Sequence, residues 1–272
     1  MDQNRLRITA LGAALCALML VPGCAQKASV IPPGTSQADK FLFERATTAL
    51  NERKWLVARD YFRQVVDNYP QSSFRPDAKL GLGDTYLGEN TSEALVLAAN
   101  EFREFLTFFP KNDRADYAQF KLGIAHFNQM LSPDRDQTET KAALKEFDAF
   151  MTRFGPNSNS PSKLIPEVQE KQRQTKDRVS EANYRVGFFY FRARYYLGAY
   201  DRFRQVLKED PEYSFRDAVY YHMAESLLKM ERPAEALPYF QRLVDEFQKS
   251  EYLEKTRLRI DELKAGKPIK KD

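Results

Sequence analysis

The stretch ATTALNERKWLVARDYFRQVVDNYP, residues 46–70, contains the spacing on which the fold prediction rests. Ala46 and Ala58 are small residues twelve positions apart, and Phe62 and Pro70 follow after four and then eight further positions. Two antiparallel helices pack closely where small side chains meet, and an aromatic ring fills the gap beside that contact. Proline then ends the second helix, because its ring cannot continue the hydrogen-bond ladder. The spacing therefore predicts one pair of antiparallel helices.

The same spacing recurs along the chain, which indicates an internal repeat. Gly187, Ala199, Phe203 and Pro211 reproduce it without a gap. Five phenylalanines mark the second helix of each unit, and they are 40, 45, 56 and 37 residues apart: Phe62, Phe102, Phe147, Phe203 and Phe240. The fifth unit has Gln248 where the proline would stand.

Two units are longer than the others. The small residues of the second unit, Gly83 and Ala98, are 15 positions apart, and those of the third, Gly123 and Ala143, are 20 apart. We expect both insertions in the loop between the two helices, because loops tolerate changes in length.

The repeated pattern resembles the tetratricopeptide repeat. In such repeats each helix pair leaves an apolar face that the next pair covers, so stacked pairs share one continuous core. The resemblance implies an all-α superhelix of five helix pairs with an extended concave surface. We assign repeats 1–3 to residues 37–156, and the rest of repeat 4 with repeat 5 to residues 199–263.

The segment 157–198 interrupts the repeat rhythm. A loop rich in Ser, Asn and Pro leads to Pro166, which is suited to a helix start. From there to about Leu197 the sequence predicts one long joining helix of roughly 48 Å that runs into repeat 4. The alternative is a helix with a kink near Ser180. Residues 264–272 form a basic tail.

The N-terminus predicts a lipoprotein signal. Arg5 and Arg7 precede an apolar run too short to span a membrane, which is typical of a signal peptide. The residues Leu20-Val21-Pro22-Gly23-Cys24 resemble a lipobox. This implies removal of residues 1–23, a diacylglycerol and an N-acyl lipid on Cys24, and a flexible tether over residues 24–36. The alternative is a plain secreted protein in which Cys24 is incidental.

Composition argues against catalytic and nucleic-acid-binding classes. The 42 Lys and Arg residues and 38 Asp and Glu residues are mixed along the chain, whereas a nucleic-acid footprint needs clustered basic residues. Two His and two Cys offer little for metal or nucleophilic chemistry, and no metal-binding or phosphate-loop motif occurs. The sequence predicts no enzyme activity, no metal and no cofactor beyond the lipid on Cys24. We expect the aromatic stretch Phe188–Phe191, with Tyr195 and Tyr196, to be core.

Two further segments carry a narrower resemblance. Residues 132–138, SPDRDQT, lie in the third repeat, and Asp177-Arg178-Val179 continues into Tyr184-Arg185-Val186-Gly187 in the joining helix. Together with the lipobox, tether and five repeats, they resemble the BamD family, the repeat lipoprotein of the outer-membrane β-barrel assembly machinery.

The resemblance implies a non-catalytic scaffold, lipid-anchored to the bacterial outer membrane and facing the periplasm. Its C-terminal repeats would dock on the periplasmic domains of the barrel-forming assembly protein, alongside other assembly lipoproteins. Its N-terminal repeats would help receive unfolded β-barrel substrates.

Four residues are candidates for partner contacts. Arg202 matches a basic residue that faces the assembly protein in the family, and the alternative is a surface arginine of little effect. Lys40, Phe43 and Thr47 lie on one side of helix A in repeat 1 and are candidates for the substrate groove.

Other functions remain open from sequence alone. The chain could be another periplasmic repeat lipoprotein that coordinates peptidoglycan and envelope growth, but such proteins usually carry a coiled-coil segment before the repeats. No heptad pattern lies between Ala25 and Gln37. It could also be a secretion-system pilot, which normally has a longer solenoid.

Overall fold

The computed structural model describes residues 36–266, and that range contains eleven α-helices and no strand. The helices are α1 (Ala38–Asn51), α2 (Trp55–Asn68), α3 (Arg75–Glu89), α4 (Ser92–Phe108), α5 (Ala115–Phe127), α6 (Thr138–Phe154), α7 (Ile165–Arg192), α8 (Tyr196–Glu209), α9 (Arg216–Lys229), α10 (Pro233–Glu246) and α11 (Leu253–Lys264). The signal peptide, Cys24 and nearly all of the predicted tether lie outside the described residues, as does most of the basic tail.

Each helix packs mainly against the helices next to it in the chain. Short connections make such neighbours antiparallel, so α1–α2, α3–α4, α5–α6, α7–α8 and α9–α10 form five helix pairs. The predicted all-α tetratricopeptide-repeat fold of five pairs is confirmed. We refer to the first helix of each pair as helix A and to the second as helix B.

The small and aromatic residues of the repeat meet as the spacing predicts. Phe62, Phe147 and Phe203 are almost fully buried. A Cβ atom on Gly187 would lie 2.7 Å from the Phe203 ring, and one on Gly123 would lie 2.5 Å from the Phe147 ring. The two helices of a pair therefore approach so closely that only hydrogen fits at these positions.

Three of the tight A–B turns use the same backbone device. Arg53, Arg194 and Glu231 have positive φ angles of 57°, 65° and 60°. In each turn the next residue donates its backbone N–H to a carbonyl five positions back, with N–O distances of 2.8–2.9 Å. The left-handed residue reverses the direction of the chain, and the hydrogen bond from the residue after it satisfies a carbonyl at the end of helix A.

The joining helix is shorter than predicted. α7 spans 28 residues, or about 42 Å, and it ends at Arg192 rather than near Leu197. The reason is the turn at Arg194, which the sequence conceals because no Gly or Pro marks it. The helix is continuous through Ser180.

The insertion in repeat 2 also differs from the prediction. Only Asn90 and Thr91 separate α3 from α4, so the additional residues lengthen helices rather than the loop. The Thr91 side chain accepts a hydrogen bond from the Ala94 N–H at 3.2 Å, which caps α4 several residues before Ala98. In repeat 3 the insertion does form a loop, over residues 128–137.

α11 is an additional helix beyond the five pairs. It packs against α10, with Thr256 and Ile260 turned into the interface. It covers the apolar face that the last pair would otherwise expose, as a terminal cap does in repeat proteins.

Candidate partner-binding surfaces

Arg202 lies on the exposed side of α8, in a shallow groove of about 490 Å³. The groove is lined by Tyr190, Tyr195, Gly198, Asp201, Arg202 and Gln205. Arg202 has no ion pair or hydrogen bond with any other residue between 36 and 266. Asp201 beside it pairs instead with Arg204, at 3.1 Å. The groove thus presents one cation, Arg202, that forms no ion pair with the described residues.

The close packing of α7 on α8 fixes the position of Arg202. Phe203 is fully buried against Gly187, so the preceding residue emerges at the edge of the interface. The Cβ of Arg202 is 3.2 Å from where a Cβ on Gly187 would be. Tyr195 is 68% exposed and lines the same groove as Arg202.

The three groove candidates in α1 occupy different environments. Lys40 is exposed, whereas the Phe43 ring stacks on Phe74 with 5.1 Å between ring centroids. The Thr47 hydroxyl donates to the Phe43 carbonyl at 2.9 Å. Lys40 is therefore free to meet a partner, and Phe43 is partly buried and packs against the apolar core of repeat 1. Substrate contact by these residues stays a prediction.

A larger groove, which we call the aromatic groove, lies on the helix A side of repeats 4 and 5. It has a volume of about 900 Å³. It is lined by Glu181, Tyr184, Arg185, Phe188, Phe189, Arg192, Ala193, Tyr213, Phe215, Ala218, Glu251 and Tyr252.

The aromatic stretch of α7 is only partly core. Phe188 and Phe191 pack against the buried cluster of repeat 4, as predicted. Phe189 is 68% exposed, and so is Tyr195, so the prediction of core is wrong for these two. Four consecutive aromatic residues on a helix cover more than one face, because successive residues are separated by about 100°.

The two histidines lie on different helices, His126 on α5 and His222 on α9. Nδ1 of His126 is 2.7 Å from Oε2 of Glu139. His222 is buried in α9, where burial lowers its pKa and Nδ1 lies 2.8 Å from the Ala218 carbonyl oxygen. Across residues 36–266 there is no group of three or more His, Cys, Asp or Glu side chains arranged to hold a metal.

The family of the chain is shown by comparison with known sequences. The profile of the outer membrane lipoprotein family YfiO matches residues 35–235, which is most of the chain. The chain belongs to this family. The predicted BamD resemblance is confirmed by two relatives, both outer membrane protein assembly factors BamD.

The BamD relatives align over most of the chain. The protein from Caulobacter vibrioides is 26% identical over 220 residues, which is 79% of this chain and 68% of the relative. The protein from Rickettsia prowazekii is 22% identical over 240 residues, which is 86% of this chain and 90% of the relative.

Solved structures also align with the chain. The MamA protein aligns at TM-score 0.34 and 14% identity, over 78% of this chain and 93% of that structure. A tetratricopeptide repeat protein from Parabacteroides merdae aligns at TM-score 0.35 and 15% identity, over 84% and 74%. At these values the fold assignment rests on the helix pairs described above.

The two segments that carry the BamD resemblance contact each other in this YfiO-family chain. SPDRDQT lies in the α5–α6 loop and at the start of α6. Arg185 of α7 pairs with Asp134 at 3.0 Å, and Arg178 donates to the Leu131 carbonyl beside that loop at 2.7 Å. The loop is thus tied to the joining helix by an ion pair and a hydrogen bond.

The aromatic groove is the surface that sequence reasoning missed. Its α7 residues recur at intervals of four, as Glu181, Arg185 and Phe189 and as Tyr184, Phe188 and Arg192, so they form one stripe. That stripe is visible in the sequence, but Phe215 and Tyr252 come from loops that only the fold brings to it. No helix in the described range combines the length and apolar composition that a membrane crossing requires.

Proposed function

We propose that this protein is a non-catalytic scaffold subunit of the outer-membrane β-barrel assembly machinery. The observation that carries the proposal is the match to the outer membrane lipoprotein family together with two relatives named as outer membrane protein assembly factors. Stacked helix pairs suit a scaffold, since they present an extended surface for partners.

Docking on the barrel-forming assembly protein is assigned to repeat 4. Arg202 is exposed, its neighbour Asp201 is engaged elsewhere, and a carboxylate on the partner could accept two parallel hydrogen bonds from the guanidinium. Tyr195 would exclude water from one side of this pair. The N-terminal repeats, with Lys40, Phe43 and Thr47 of α1, would help receive unfolded β-barrel substrates; there Phe43 shapes the surface and Lys40 supplies charge.

The role of Arg202 is tested by reversing its charge. Arg202→Glu should weaken binding to the purified periplasmic domains of the assembly protein by about thirtyfold or more, since losing a paired interfacial charge costs about 2–5 kcal/mol. Lys208→Glu is the matched control: Lys208 is another exposed cation of α8, outside the groove. Equal affinities for both variants would remove Arg202 from the interface.

A lipid on Cys24 would hold the scaffold on the outer membrane, with residues 24–36 as a spacer. Cys24→Ser should move the protein from the membrane fraction to the soluble periplasmic fraction and abolish labelling by radioactive palmitate. Cys16→Ser is the control, because Cys16 lies inside the apolar run. Retained labelling in Cys24→Ser would refute this anchor.

A further inference from the structure

Two large apolar side chains of the aromatic groove are exposed to solvent. Phe189 on α7 is 68% exposed, and Phe215 before α9 is 58% exposed. They flank a hollow whose lining includes Tyr184, Phe188 and Tyr252. Contiguous apolar surface around a concavity typically marks an interaction site.

Several rings that line the aromatic groove pack against the buried His222. Six aromatic rings surround its imidazole with centroid distances of 5.0–5.9 Å: Tyr184, Phe188, Phe191, Phe203, Tyr221 and Tyr252. Tyr252 also stacks on Tyr221 at 4.7 Å. Because three of these rings line the groove, a ligand would meet a preformed surface and would lose little affinity to ordering it.

Two arginines and two glutamates line the groove, and the two arginines differ in whether their charges are paired. Arg185 is paired with Glu181 at 2.7 Å and with Asp134 at 3.0 Å. Arg192, two turns further along the same stripe, is exposed and has no ion pair or hydrogen bond within the part of the chain that the structure describes. A ligand that carries negative charge beside an apolar group would complement this end of the groove.

We propose that the aromatic groove binds a segment of another protein that inserts an aromatic side chain between Phe189 and Phe215 and places an acidic side chain against Arg192. A protein segment suits the site better than a small molecule, since small-molecule pockets enclose most of their ligand whereas these walls are open. Tyrosine and arginine are also the residues that most often anchor protein interfaces.

This site is separate from the Arg202 groove. Gly187 and Tyr190 face α8, whereas the aromatic groove lies along another side of α7. The proposal does not depend on the function proposed above.

The test uses synthetic peptides of defined chemistry. Fluorescein-labelled Gly-Ser peptides carry one Trp and one Asp separated by spacers of increasing length, and matched sets replace Asp by Lys or Trp by Ala. Anisotropy measures their binding to the folded protein. At least one Trp–Asp peptide should bind, and its affinity should fall about tenfold or more in Phe189→Ala and in Arg192→Glu.

Reversing the charge on both the peptide and Arg192 distinguishes direct contact between them from a general effect of protein charge on affinity. The Trp–Lys peptide of the same spacing should bind Arg192→Glu more tightly than it binds the unaltered protein. Lys145→Glu, an exposed cation on α6, should leave all affinities unchanged. Circular dichroism confirms that each variant is folded, which is expected because the altered side chains are exposed.

Four outcomes would overturn the proposal. One is that no Trp–Asp peptide binds, and a second is that peptide affinity is the same in Phe189→Ala and Arg192→Glu as in the unaltered protein. A third is self-association in sedimentation that Phe189→Ala abolishes, which would assign the groove to a second copy of this chain. The fourth is binding to phosphatidylglycerol vesicles that requires Phe189, which would assign the groove to a membrane surface.

Discussion

Asp210, which follows α8, links that end of repeat 4 to the long helix α7 through a small group of polar residues, of which Asp210 and Ser180 are buried. Arg173 of α7 reaches Asp210 with both terminal nitrogens, and the Ser180 hydroxyl donates to the same carboxylate at 2.7 Å. Burial raises the pKa of Asp210, but these hydrogen bonds outweigh it and hold that pKa below its ordinary value. Asp210 therefore favours the folded state as a charged group.

The lowered pKa of Asp210 predicts loss of stability in acid. In the unfolded chain an aspartate takes up its proton near pH 4, whereas in the folded chain Asp210 does so at lower pH. Its contribution is complete above about pH 4 and disappears as the pH falls through the folded value. Asp210→Asn should cost about 1–3 kcal/mol at pH 7, and the difference should shrink towards pH 3.

Urea unfolding between pH 7 and pH 3 measures this effect. Asp113→Asn is the control, since Asp113 is an exposed carboxylate with no ion pair inside residues 36–266. If the unfolding free energies of Asp210→Asn and the unaltered protein ran parallel over the whole range, the charged network would not stabilise the fold.

Between elements, one hydrogen bond links successive repeats. A serine that precedes α3, α7, α9 or α11 donates to an aspartate on helix A of the repeat before it, at 2.5–2.7 Å, in four places: Ser72–Asp39, Ser162–Asp116, Ser214–Asp177 and Ser250–Asp217. Between repeats 2 and 3, Arg114 and Asp77 form an ion pair instead, at 3.0 Å. In three of the four, the aspartate lies seven positions before the small residue of its helix A, so the sequence did carry the signal.

Alanine substitutions at two glycines test how much the close contact between α7 and α8 contributes to stability. Gly187→Ala should lower the unfolding free energy by about 1–3 kcal/mol, because its Cβ would lie 2.7 Å from the buried Phe203 ring. Gly198→Ala should instead raise it by about 0.5–1 kcal/mol, since alanine favours a helix and the nearest Tyr190 atom would be 3.9 Å away.

Chemical denaturation of both glycine variants measures the two effects side by side. A Gly187→Ala protein as stable as the Gly198→Ala protein would mean that the helices do not need this close approach.

Over the whole molecule, the features that recur in every repeat could be predicted from the sequence, whereas features that occur once could not. The five pairs followed from the spacing of small and aromatic residues, because that spacing reflects helix contacts present in every pair. α11 is not part of a helix pair, so the spacing of small and aromatic residues that predicts pairs did not predict this helix. The end of α7 was missed because Arg194 adopts a left-handed conformation that a glycine would have signalled.

Of the two candidate surfaces, one could be predicted from the sequence and the other could not. Arg202 could be chosen from a family resemblance, and the structure shows it exposed and unpaired within the described range. The aromatic groove could not, because its walls come from α7, α9 and two loops that lie far apart in the sequence. Exposure of Phe189 depends on which face of α7 the neighbouring helices leave open.

The role proposed for this chain is that of a scaffold in the β-barrel assembly machinery. The most direct test is to extract membranes gently with detergent from cells carrying a C-terminally tagged copy and to identify the proteins that co-purify in stoichiometric amounts. The barrel-forming assembly protein should be among them if the chain is such a scaffold. Recovery of peptidoglycan synthases or of a secretin-like channel in its place would contradict that role.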